Sequence, residues 1–188
     1  MSLPNLVERI RQILAEPRTA WATIAAEPAT VQSLYTGWIM ILAAVAPLAL
    51  LASTGSLQVA IAQYVRSLIM TFVMALVVDT VAPSFGGAKD FVASLKLTAY
   101  SYTATWLAGI FYLLGALGTS LVLLATVYSL YTLFLGAPLL NKTSPDKAVP
   151  FTIVVVLCGI VLFFLARFAF TGVATPPPLH AGMGLAIR

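Results

Sequence analysis

VPFTIVVVLCGIVLFFLARFAF, residues 149–170, carries one charged side chain, Arg167, in 22 positions. A helix rises about 1.5 Å per residue, so roughly 20 apolar residues cover the hydrocarbon core of a bilayer. Four further runs share this character, at 34–52, 59–81, 97–114 and 121–140. Backbone groups in lipid must bond internally, which leaves helices or a closed barrel. Barrel strands alternate in polarity over about 10 residues. LVLLATV at 121–127 and FTIVVVL at 151–157 are instead apolar on every side. The pattern predicts an all-α polytopic membrane protein with five transmembrane helices.

The composition agrees. The 188 residues are 61% hydrophobic and 9% charged, and the mean hydropathy is +1.00. The gaps between runs are too short for a soluble domain. The expected organisation is therefore a cytoplasmic interfacial segment at 1–28, a five-helix membrane domain at 29–170 and an extracytoplasmic flexible tail at 171–188. Ten basic residues give a net charge of +4 but form no run, so the expected partner is the lipid bilayer and not nucleic acid. Cys158 is the only cysteine and lies inside the fifth run, where it reads as a small packing side chain.

Lysine and arginine near span ends set orientation. Arg9, Arg11 and Arg18 precede the first run, Lys89 and Lys96 lie between the second and third, and Lys142 and Lys147 between the fourth and fifth. The other two gaps hold neither residue type. All seven of these fall on one side, which predicts a cytoplasmic N-terminus and, with an odd number of spans, an extracytoplasmic C-terminus.

Before the first run, Leu6, Val7, Ile10, Ile13 and Leu14 recur at helical spacing opposite Glu8, Arg9, Arg11 and Gln12. This predicts an amphipathic helix in the cytoplasmic interface, ended by Pro17. Glu8 and Glu16 make it unlike a cleaved signal peptide. Trp21, Tyr35 and Trp38 are expected at headgroup level. The tail, with Pro176, Pro177 and Pro178, reads as exposed polyproline chain, and its His180 carries no metal or catalytic reading. Asn141-Lys-Thr matches a glycosylation sequon but falls on the cytoplasmic side.

Several segments then combine. The stretch 17–28 reads PRTAWATIAAEP, Gly86-Gly87 follows the second run, and LKLTAYS at 95–101 opens the third. YTLFLGAP at 131–138 closes the fourth, and Pro145, Asp146, Lys147 and Ala148 start the fifth. In this order and spacing, over roughly 7–170, the chain resembles a bacterial member of the Yip family, named in eukaryotes for interaction with Ypt/Rab GTPases. The resemblance implies five spans and a cytoplasmic N-terminus, with eukaryotic relatives acting in vesicle trafficking and membrane shaping. The long N-terminal region of the eukaryotic pattern is not matched here, so Rab-type binding is not carried over.

Ionisable groups inside spans are costly, about 2.5–3.5 kcal/mol each at mid-bilayer on insertion scales. Arg66 lies about 10 Å into the second run, where it either snorkels outward or turns inward with Gln63 and Tyr64. Arg167, close to the outer end of the fifth run, reads as snorkelling. Asp79 lies near the inner end of the second run and Lys96 at the start of the third, so a structural clamp between them is expected. Arg66 and Asp79 stand about 220° apart around one helix and cannot share a face. Ser94, Thr98, Ser101, Thr105 and Tyr112 lie on one face of the third run. Packing through interhelical hydrogen bonds is the first reading of that stripe. A polar intramembrane site built from Gln63, Arg66, Thr98, Ser101 and Thr105 is the other. Pro47 and Pro138 can kink the first and fourth spans.

No span carries a ligand set for a metal, and no serine has a histidine partner within a span. The expected function is therefore non-enzymatic, without cofactor or metal. One reading is organisation of membrane or cytoplasmic protein partners through 6–14, 85–89 and 141–147. The other is a small channel, transporter or lipid-handling protein near Arg66. A homo-oligomer is compatible with both.

Overall fold

Residues 3–174 are described in the computed structural model, with side chains for 5–168. Each helix starts or stops where its local sequence directs. Pro17 has no N–H to continue α1 (Leu3–Ala15), yet fits the first turn of α2 (Pro17–Ala26). Thr30 and Ser33 cap α3 (Val31–Thr54) reciprocally: the Ser33 N–H donates to Thr30 Oγ1 at 3.1 Å and the Thr30 N–H to Ser33 Oγ at 2.9 Å. Within α3 a π-helical turn spans Tyr35–Ile39 and a break falls at Ala43 and Ala44. Pro47 explains the break, because it has no N–H for the carbonyl of Ala43. Ser56 Oγ accepts from the Val59 N–H at 3.3 Å to start α4 (Leu57–Val81), which tightens into a 3-10 turn at Ala82–Phe85.

Next come α5 (Phe91–Ser101), α6 (Thr103–Ala108) and a 3-10 turn at Gly109–Leu114. They are followed by α7 (Ala116–Leu140), which runs through Pro138, a 3-10 turn at Pro145–Lys147 and α8 (Ala148–Ala174). Among the described residues four segments are long and apolar enough to cross a membrane: Val31–Thr54, Leu57–Phe85, Ala116–Leu140 and Pro145–Phe168. The third run is not among them, because it is divided into α5, α6 and the 3-10 turn.

Burial explains the difference. Every residue from Ser94 to Ser101 is buried, so α5 is enclosed by other helices. A helix wrapped in protein can carry hydroxyls and an ammonium that lipid would penalise. On α8, by contrast, Ile153, Leu157, Ile160, Val161, Phe163 and Phe164 are all exposed. An exposed apolar face of that extent suits hydrocarbon and not water.

The gaps after the second and fourth runs meet. The Ala88 N–H donates to the Asn141 carbonyl at 2.8 Å, and the Ser144 N–H to the Phe85 carbonyl at 3.4 Å. Helix α7, with 25 residues, is about 37 Å long. Because its end returns to Ala88, residues 91–114 retrace its length in the opposite direction. Cross-links between the two segments keep this antiparallel register: Asn141 to Ser94, Thr132 to Ser101 and Ser129 to Thr105.

The N-terminal helices form a hairpin on the flank of the bundle. Leu6 and Ile13 are buried, while Val7 and Leu14, one position on, are exposed. The Tyr128 hydroxyl donates to the Leu14 carbonyl at 2.9 Å, fastening the end of α1 to the middle of α7. Trp21 sits in a notch at Gly136, where an added Cβ would come within 2.7 Å of the indole and 2.6 Å of Leu97 Cδ1. The tryptophans expected at headgroup level are turned into the protein. Trp21 and Trp38 are each 1% exposed, and Trp38 packs on Tyr100 with ring centroids 4.6 Å apart. Trp21 of α2 joins the N-terminal segment to the bundle, and Trp38 packs α3 on α5. The tail at 175–188, with His180, lies outside the described residues.

Candidate functional site

The bundle end that carries the joined loops also carries a charged cluster. Helix α2 ends at Glu27, which is in extended conformation ahead of Pro28. Its carbonyl is one of the acceptors that a helix end leaves unpaired. Lys96, in the second turn of α5, donates Nζ to that carbonyl at 2.6 Å. A cation at a helix C-terminus also complements the helix dipole. Arg9 of α1 forms an ion pair and hydrogen bond with the Glu27 carboxylate. Glu27 thus holds α1 through its side chain and α5 through its main chain.

A cleft of about 190 Å³ opens beside this cluster, between the Glu27–Pro28 turn, the start of α3 and α5. Its lining combines Lys96, Tyr100, Ser33 and Glu27 with Leu34 and Trp38. Lys96 is only 6% exposed. A second cleft, lined by Asn5, Glu8, Arg9, Gln12 and Glu27, shares Glu27 with the first.

The expected Asp79–Lys96 clamp is not formed. Among the described residues Arg9–Glu27 is the one salt bridge, and Lys96 is turned toward the end of α2. Asp79 is 5% exposed and its Oδ1 has no hydrogen-bond partner. Arg66 and Gln63 lie one turn apart on α4, half-buried, with Arg66 Nη2 donating to Gln63 Oε1. No hydrogen bond joins them to Thr98, Ser101 or Thr105. Thr98 Oγ1 bonds back to the Ser94 carbonyl at 2.9 Å, and Ser101 Oγ is buried without a partner. Thr105 Oγ1 lies 2.9 Å from Ser129 Oγ, and Thr132 Oγ1 donates to the Ser101 carbonyl at 3.4 Å. The stripe is a seam between the third run and α7. Its neighbour Trp106 turns the other way, donating Nε1 to Ser67 Oγ at 3.2 Å.

Arg9 and Glu27 were legible only as polar residues of an amphipathic helix and of a pre-proline motif. Nothing local in the sequence signals a pair separated by eighteen positions. Among the described residues no group of three or more His, Cys, Asp or Glu side chains could hold a metal.

Several apolar helices around a hydroxyl-lined interior define a multi-pass helical membrane protein. The chain matches the family model described as Yip1 domain over residues 11–166, and it belongs to that family. Neither a curated protein nor a solved structure matches it.

Proposed function

We propose that this Yip-family protein is a non-enzymatic organiser of membranes or membrane-protein partners, acting through one cytoplasmic face. It crosses a bacterial inner membrane five times, with the N-terminus in the cytoplasm and the C-terminus outside. The observation that carries this reading is the Ala88–Asn141 bond, which joins the two basic loops at one end of the bundle. That juxtaposition, with α7 extending about 37 Å away from it, supports a fifth crossing by the broken segment 91–114. The basic residues Lys89, Lys142 and Lys147 are exposed at the same end, as positive-inside charges require.

The surface offered to partners comprises these loops and the outer face of α1. Val7 is 63% exposed and Leu14 38%, so α1 presents one apolar stripe outward while Leu6 and Ile13 hold it to the bundle. The test is in-cell crosslinking from position 89 or 142 in Val7→Gln/Leu14→Gln protein. Loss of crosslinked partners with normal membrane insertion is expected. An unchanged set of partners would contradict the reading. The channel reading near Arg66 has less support, since Arg66 pairs with Gln63 and Thr105 of the hydroxyl stripe is engaged by Ser129 of α7.

A further inference from the structure

We propose that the cleft between the Glu27–Pro28 turn, α3 and α5 binds the phosphate group of an anionic phospholipid. This goes beyond the organiser reading and does not depend on it, because it needs only the cleft and its charges.

The argument starts from Lys96. It is 6% exposed, lines the cleft, and its hydrogen bond is to the main-chain carbonyl of Glu27. An ammonium has three N–H donors, so two remain for a ligand. No carboxylate lies within salt-bridge distance of it among the described residues. Glu27, the one carboxylate on the cleft wall, is already paired with Arg9. Arg9 also keeps Nη1 buried without a partner. The Glu27 carboxylate attracts Lys96 and Arg9 repels it; Asp90 attracts it less strongly, is exposed, and accepts from the Ala93 N–H at 3.0 Å as the cap of α5. Glu27 is shared between Arg9 and Lys96, and Asp90, the other carboxylate acting on Lys96, is solvent-exposed, so Lys96 is incompletely compensated where it is buried. A buried cation without a full counter-charge is costly, and an anion entering the cleft lowers that cost.

The shape of the cleft points to the source of the anion. Alongside Lys96 and Tyr100 the cleft is lined by Leu34 and by Trp38, which packs on Tyr100. The apolar carbons of this lining suit the glycerol and acyl carbons of a lipid, and Trp38 Nε1–H, buried without a partner, is a further donor on it.

The test uses the full-length protein, stripped of lipid in detergent. It is titrated with dioctanoyl phosphatidylglycerol, with dioctanoylglycerol, which has no phosphate, and with inorganic phosphate. Binding is read by native mass spectrometry and tryptophan fluorescence. Saturable binding of phosphatidylglycerol at one site, at least about tenfold tighter than dioctanoylglycerol, is expected for a charge-assisted contact. Lys96→Gln should lose that preference and Lys96→Arg should retain most of it. Glu27→Gln keeps the carbonyl that Lys96 bonds while removing the competing negative charge, so it should tighten binding severalfold. A structural role for the cluster predicts no such gain, and this arm holds even if Lys96→Gln fails to fold. Inorganic phosphate competing at concentrations similar to the lipid would assign the site to soluble phosphate, and no competition assigns it to the headgroup. Equal binding of phosphatidylglycerol and dioctanoylglycerol, or weaker lipid binding by Glu27→Gln, would overturn the proposal.

Discussion

The Ala88 N–H and the Asn141 carbonyl, 2.8 Å apart, join two loops separated by the whole of the third and fourth runs. Gly87 lets them approach. A Cβ there would lie 2.6 Å from the Asn141 carbonyl oxygen and 3.0 Å from that of Ala82. Gly87→Ala should therefore destabilise the protein by about 1–3 kcal/mol, the usual range for overpacking. Gly159→Ala, whose Cβ would meet only Met74 at 3.4 Å, should be neutral or stabilising, since alanine is the better helix former by about 1 kcal/mol. Thermal unfolding in detergent compares the two. Equal melting temperatures would show that the loop junction bears no strain.

The Arg9–Glu27 pair should act as a latch on the N-terminal hairpin. Its side chains are 11% and 41% exposed, so a double-mutant cycle with Arg9→Ala and Glu27→Ala should give a coupling of about 1 kcal/mol, the upper end for partly exposed pairs. Releasing the latch should also speed tryptic cleavage after Arg11 and Arg18. Unchanged cleavage in Arg9→Ala would mean that Leu6, Ile13 and Tyr128 hold α1 unaided.

Asp79 offers a test of a different kind. Were it paired with Lys96, removing its charge would cost about 3–5 kcal/mol, as breaking buried ion pairs does. Its Oδ1 is instead without a partner. Asp79→Asn should thus leave stability unchanged or raise it slightly, as measured by denaturation in detergent.

The seam between the third run and α7 should be cooperative. Thr105→Val and Ser129→Ala each remove the same 2.9 Å contact. Each should cost about 0.6 kcal/mol, the mean for interhelical hydrogen bonds in membranes. The double variant should cost less than the sum of the two. Strict additivity would show that the hydroxyls act separately.

Much of this fold was legible because lipid imposes a crude rule. Runs at 34–52, 59–81, 121–140 and 149–170 are apolar all round because parts of their surfaces remain uncovered by protein, and each lies in a helix long enough to cross. The run at 97–114 obeys another constraint. Its first turns, enclosed by neighbours, carry Thr98 and Ser101 directly after Lys96, whereas Ile110, Phe111, Leu113 and Leu114 near its end are exposed, and its helix breaks into pieces that hydropathy alone treats as one. Helical spacing located the hydroxyl stripe, but nothing along the chain says which helix faces it. The charged cluster was harder still. Lys96 had a plausible partner nearby in sequence, Asp79, whereas its actual partner is the unpaired carbonyl at the end of α2. Backbone acceptors leave no mark in a sequence. The packing of Trp21 was hidden for a related reason: an aromatic near a span end suits a headgroup belt, and it equally suits a notch such as Gly136 provides.

The central claim is that one cytoplasmic face gathers the two basic loops, with the broken third run crossing the membrane between them. Single cysteines at 55, 89, 115 and 142, in a Cys158→Ala background, test it most directly through labelling by an impermeant maleimide in sealed vesicles of each orientation. The account predicts that positions 89 and 142 label only from the cytoplasmic side, and positions 55 and 115 only from the opposite side. Labelling of 115 from the same side as 89 would show that residues 91–114 do not cross, and would contradict it.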